Sequence, residues 1–169
     1  MFVLFRTITY ATFFVGFLLV YLPSRVLLWS GIVRPATMEA PQIAGMIVAT
    51  AGALLALWCV VTFVAIGKGT PAPFDPPRRL VVRGPYRFVR NPMYLGGALA
   101  LAGAALFYQS LLLLAYGSIF LFAACLFVLF YEEPTLRRTF GADYEAYRRH
   151  VGRWLPHGVS SSILSGPSS

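Results

Sequence analysis

Charge is what this sequence has least of. Asp, Glu, Lys and Arg together make up 12% of its 169 residues, about half the share of a soluble domain, and only six residues are acidic. With 58% hydrophobic residues and a mean hydropathy of +0.71, that scarcity argues against a soluble enzyme and for an integral membrane protein. Cysteine is nearly absent: Cys59 and Cys125 both fall inside apolar runs, so neither a disulfide framework nor a cysteine metal site is expected. The two histidines, His150 and His157, have no carboxylate or cysteine grouped around them, and no metal is expected there. Gly67-Lys68-Gly69-Thr70 is too short a glycine frame for a P-loop. The net charge of +8 does not point to nucleic acid, because the basic residues concentrate in Lys68–Arg90 and Arg137–Arg153, beside apolar runs. Cytoplasmic anchoring and contact with anionic headgroups account for that placement.

What the sequence has in quantity is apolar runs near the ~20 residues that a hydrocarbon core of about 30 Å requires. Four are read as transmembrane helices, over about 5–22, 43–66, 92–108 and 111–131. Pro23 either kinks or ends the first, and Ser30–Gln42 reads as a short loop. Small residues at Gly45, Ala49, Ala53 and Ala56, and again at Gly96, Ala100 and Ala104, predict close helix packing. The second stripe also leaves room for a ligand near Gly96. A tight hairpin near Gln109 should join the third and fourth helices. With both termini in the cytoplasm, four spans put both basic clusters on one side, as the positive-inside rule requires. The predicted fold is therefore all-α: a polytopic membrane protein forming one domain over 1–156, with a flexible tail over 157–169. No targeting signal is evident, which fits a prokaryotic plasma membrane.

The chemically densest stretch is Arg83–Gly97, RGPYRFVRNPMYLGG. Asn91 is a favoured N-cap and Pro92 a favoured first helical residue, so a helix should start here, out of a basic loop. Free N–H groups and the positive dipole end at such a start suit an anion, and Arg83, Arg87 and Arg90 could add to it. The alternative is positive-inside anchoring with an ordinary cap. A second constellation, Tyr131-Glu132-Glu133-Pro134, places two carboxylates at the expected end of the fourth helix, against its dipole. The topology brings this pair to the same face as Arg83–Asn91. A pocket basic on one side and acidic on the other suits a zwitterion; Arg–Glu pairing without a ligand is the other reading. Beyond Pro134, Leu136, Phe140, Tyr144, Tyr147 and Val151 recur at helical spacing among arginines. They predict an amphipathic interfacial helix over about 134–151, interrupted at Gly141.

Taken together, GPYRFVRNPMYLGG, a hydrophobic hairpin and YEEPTLRRTFGADYEAYRRHVGRWLP resemble the isoprenylcysteine carboxyl methyltransferase and phospholipid N-methyltransferase superfamily of integral membrane enzymes. The resemblance covers about 80–156. It implies S-adenosylmethionine as cofactor and a lipophilic acceptor arriving from the bilayer. FGADYEAYRRHV and the closing LP look like the carboxyl-methyltransferase branch, which usually has His-Pro where this chain has Asn91-Pro92. NPMY and YEEP look like the phospholipid branch. An asparagine cannot titrate near neutral pH, so the departure at Asn91 bears on the choice of acceptor. Carried over residue by residue, the resemblance implies that Arg83, Gly84, Pro85, Tyr86, Asn91, Pro92, Tyr94, Gly96, Glu132 and Glu133 hold the cofactor. Arg90, Tyr144, Tyr147 and Arg148 are candidates for the substrate, and no catalytic base is identified. The GxGxxG fingerprint of soluble dinucleotide folds is absent. Two other readings remain: a membrane reductase using NADPH, whose Arg-Asn-Pro-x-Tyr-x-Gly segment is similar, and a lipid-binding protein without catalysis.

Overall fold

The computed structural model describes residues 16–32, 35, 37–62, 65 and 80–156. Among them the chain is all helix and turn, with one isolated bridge between extended residues. Five helices follow in order: α1 (Gly16–Trp29), α2 (Ala40–Thr62), α3 (Pro92–Tyr108), α4 (Leu111–Phe140) and α5 (Ala142–His150). A short 3-10 turn at Gly84–Arg87 precedes α3. Two of the helices, α2 and α4, are long and apolar enough to cross a membrane; α1 and α3 are shorter apolar helices.

The helix boundaries differ from the sequence reading where proline is concerned. The first span was expected over 5–22; residues 5–15 of it lie outside those described, and the described part runs through Pro23 to Trp29. The fourth was expected to end near Tyr131, yet α4 continues past Pro134 to Phe140. Both prolines follow a π-helical stretch, Gly16–Tyr21 in α1 and Val128–Glu132 in α4. A proline removes one N–H and its ring crowds the carbonyl one turn earlier. A wider π turn immediately before it makes room without ending the helix. In α1 the carbonyl five residues before Pro23 belongs to Leu18, and the Tyr116 hydroxyl of α4 donates to it at 2.7 Å. That bond supplies a donor from another helix to a carbonyl inside the π stretch. Tyr116→Phe should therefore destabilise the protein by about 1–2 kcal/mol, measured as a lowered denaturation midpoint in detergent. A midpoint equal to wild type would show that the Leu18 carbonyl has another partner.

The second span, expected over 43–66, is α2. It begins earlier, at Ala40, because the Gln42 side chain folds back to accept the Glu39 N–H at 3.2 Å, one half of a capping box. The helix is described as far as Thr62; residues 63, 64 and 66 of the expected span lie outside the described residues. The α3–α4 hairpin turns where the sequence placed it. Gln109 adopts the left-handed conformation (φ 48°); its N–H bonds Leu106 O at 3.2 Å and the Ser110 N–H bonds Ala105 O at 3.0 Å, a Schellman closure. Ser110 then caps α4 by accepting the Leu113 N–H at 3.2 Å.

The most extensive contact is between α2 and α3, and it is backbone against backbone. A Cβ placed on Gly103 would lie 2.3 Å from Ala49 N, and one on Gly52 2.5 Å from Ala100 N. Gly45 meets Phe107 N and Gly103 O, and Gly96 meets Gly52 O and Ala56 N. The expected small-residue stripes are thus present through Gly45, Ala49, Ala56, Gly96 and Ala100, with Gly52 and Gly103 added to the contact and Ala53 exposed outside it. The interfacial helix expected over 134–151 is two pieces, the last turns of α4 and all of α5, broken at Gly141, whose φ is +50°.

Candidate functional site

At one end of the α2–α3 pair lie the buried polar side chains of Thr62, Asn91 and Glu133. Gly84 opens the 3-10 turn at φ +61°, a conformation open to glycine, and packs so closely on the end of α2 that a Cβ would lie 2.9 Å from Thr62 Oγ1. This fixes Pro85, which is buried, and Tyr86, which lies beside Cys59, Glu132, Tyr147 and Tyr94. Arg83 and Arg87 point away: both are exposed, and the Arg87 guanidinium sits 4.5 Å over the Phe88 ring. Of the three arginines leading into α3, Arg90 alone turns inward, its side chain 9% exposed.

The π turn in α4 separates the two carboxylates. Glu133 is buried; its Oε1 is 3.0 Å from Arg90 Nη1, and Arg153 binds it with both prongs, Nε to Oε1 at 2.7 Å and Nη2 to Oε2 at 3.0 Å. Arg90 Nη1 also donates to the Tyr144 hydroxyl at 3.2 Å. Glu132 takes another direction: it accepts the Tyr94 hydroxyl at 3.1 Å and makes no ion pair among the described residues. The pair expected at a helix end against its dipole is therefore inside a continuous helix, and the two acids have different surroundings.

Asn91 corrects another expectation. It precedes Pro92 at the start of α3, but its side chain makes no cap; its Nδ2 donates instead to Arg153 O at 3.4 Å. The cause is the segment after α5, which lies against the loop. Val89 and Gly152 form a parallel bridge, and the Arg90 N–H donates to Gly152 O at 2.9 Å. Among the described residues the Met93 and Tyr94 amides, next to this uncapped start, have no acceptor.

Three tyrosines outside the apolar helices complete the wall. Burial pushes the phenols of Tyr86, Tyr144 and Tyr147 upward, Tyr144 further through the Glu133 carboxylate. They stay neutral donors across the physiological range, and Tyr147 donates to the Tyr86 carbonyl. The Arg153 guanidinium is held protonated by its hydrogen bonds to Glu133.

The structure thus brings together Gly84, Pro85, Tyr86, Arg90, Asn91, Pro92, Tyr94, Glu132, Glu133, Tyr144 and Tyr147. It does not bring in Gly96, which is packed against the α2 backbone, or Arg148, which pairs with Glu145 at 3.4 Å on the surface. Arg153 was missed. In sequence it is one more arginine in a basic tail, and only its place two residues after the buried Val151 hints at an inward direction. Chemically, a carboxylate without an ion pair among the described residues stands beside a helix start whose first N–H groups have no acceptor among them. That arrangement can receive a cationic group at Glu132 and an anionic one at the amides.

A family model described as phospholipid methyltransferase matches residues 40–143 of the chain. No curated protein and no solved structure matches it.

Proposed function

Because this chain belongs to the phospholipid methyltransferase family, we propose that it transfers the methyl group of S-adenosylmethionine to a lipophilic acceptor at the cytoplasmic face of a prokaryotic plasma membrane. In this reading α1 to α4 all cross the bilayer with both termini inside, and α5 lies in the interface. The observation that carries the reading is Glu132: a half-buried carboxylate, oriented by Tyr94, without a cationic partner among the described residues.

The donor set fits this cofactor, which carries a carboxylate, an ammonium and a sulfonium. Glu132 would face a cationic group, and the Met93 and Tyr94 amides would face the carboxylate. When bound, S-adenosylmethionine supplies a methyl group on a positively charged leaving sulfur. The chain's own task is then alignment and exclusion of water. Tyr94 fixes the Glu132 rotamer, while Gly84 and Pro85 hold the loop against α2 so that Tyr86 closes one wall. Arg90 and Arg153 both pair with Glu133, which offsets their charge toward an acceptor carboxylate. The charge balance favours a phospholipid amine over an isoprenylcysteine carboxylate.

Calorimetric titration of detergent-purified protein with S-adenosylhomocysteine and, separately, NADPH tests the assignment. Binding of the homocysteine compound is expected, weakened by about 10- to 100-fold in Glu132→Gln, since a hydrogen bond to a charged group contributes about 1.5–3 kcal/mol. Binding of NADPH alone would reassign the chain to the reductases, and binding of neither would leave a lipid-binding protein. Methyl incorporation into phosphatidylethanolamine against an isoprenylcysteine analogue then decides the acceptor.

A further inference from the structure

The family match ends at residue 143, yet the site is completed by residues beyond it. Val151 and Gly152 are buried, and this short strap is joined to the loop before α3 by the Val89–Gly152 bridge, by Arg90 N–H to Gly152 O, and by Asn91 Nδ2 to Arg153 O. From the end of the strap Arg153 reaches both oxygens of Glu133. Its side chain is 32% exposed, whereas that of Glu133 is 8% exposed, so the guanidinium closes over the acid from outside while Arg90 meets it from within.

The consequence falls on the neighbouring acid. Two successive carboxylates on one helix repel each other, and either could in principle be drawn toward the nearest cation. With Arg90 on Oε1 and Arg153 across both oxygens, Glu133 has no oxygen left uncommitted, and Glu132 is left with Tyr94. The same strap holds the Arg90 N–H, through Gly152 O, and the Asn91 side chain, through Arg153 O, at the uncapped start of α3, so the segment that carries Arg153 touches both polar faces of the site. We propose that Arg153 is a positioning residue for methyl transfer: its two-pronged bond to Glu133 decides which carboxylate faces the cofactor and locks the loop that carries the facing amides. This rests on the methyltransferase reading above.

The test is S-adenosylhomocysteine affinity in wild type, Arg153→Gln, Arg153→Lys, Glu133→Gln and the Arg153→Gln/Glu133→Gln double variant, together with hydrogen exchange at the Arg90 amide. Arg153→Gln should weaken binding about tenfold and speed exchange at Arg90, because charge-assisted two-pronged pairs couple strongly with their partners. Arg153→Lys, which keeps the charge but not the fork, should recover part of the loss. In the Glu133→Gln background Arg153→Gln should add little, since its effect passes through that acid; a general loss of structure would instead add to it. Unchanged affinity in Arg153→Gln, or losses that multiply in the double variant, would overturn the proposal. Should Arg153→Gln not fold, Arg153→Lys decides: wild-type affinity counts against the proposal and an intermediate affinity for it. Failure of the wild type to bind would overturn the methyltransferase reading itself, and faster Arg90 exchange in Arg153→Gln would still establish the strap as a clamp.

Discussion

Glu133→Ala is expected to destabilise the folded protein by about 3–5 kcal/mol, the range for breaking a buried ion pair by removing one partner. The loss comes chiefly from Arg90. That side chain is 9% exposed, and its Nε already lacks a partner among the described residues. Removing Glu133 leaves the guanidinium with the Tyr144 hydroxyl as its remaining side-chain acceptor. Arg153, one-third exposed, can return to water and contributes less. Glu145→Ala is the comparison. Glu145 bridges Arg137 at 2.9 Å and Arg148 at 3.4 Å, but those side chains are 36–44% exposed, and exposed pairs contribute about 0–1 kcal/mol. Unfolding of the detergent-solubilised protein by denaturant, followed by tryptophan fluorescence, measures both. Equal midpoints for the two variants would mean that the buried cluster is not a unit of stability.

Gly103→Val should be as damaging for a different reason. A Cβ at Gly103 would lie 2.3 Å from Ala49 N and 2.6 Å from Gly45 O, and these are backbone atoms, which cannot swing aside as a side chain can. The α2 and α3 axes must separate, which loosens every close approach along the pair, including Gly52 on Gly96. Overpacking typically costs about 1–3 kcal/mol where side chains yield, and here it should exceed that range. The expected result is loss of a monodisperse species on size exclusion, with no recovery by the smaller Gly103→Ala. Gly117→Ala is the control: its Cβ would meet only the Leu101 Cβ, at 3.3 Å, and it should remain folded. A well-behaved Gly103→Val would show that α2 and α3 are not held at backbone contact.

How much of this was legible beforehand depends on whether the signal is local. The hairpin at Gln109 and the start of α3 at Pro92 were legible because turn and helix-start chemistry is carried by adjacent residues. The passage of α4 through Pro134 was not, and at Pro23 the sequence left a kink and an end both open, because proline is a local breaker that a preceding π turn can accommodate. Asn91 misled for the same reason. Its capping propensity is a property of a helix in isolation, and the strap carrying Arg153 offered its side chain another partner.

The sequence by itself determined that the chain is apolar and helical, that its two polar constellations would meet, and that the family resemblance lies in the loop before α3 and the double glutamate. Composition and short-range spacing hold that information, because helices and their caps are built from near neighbours. Only the tertiary structure decided which arginine turns inward, that Glu133 is taken by Arg90 and Arg153, and that Glu132, bonded by Tyr94, has no ion pair among the described residues. Adjacent residues of like charge are indistinguishable in a sequence. What separates them is where the π turn aims each side chain and which cation, from up to 43 positions away along the chain, has been brought against it.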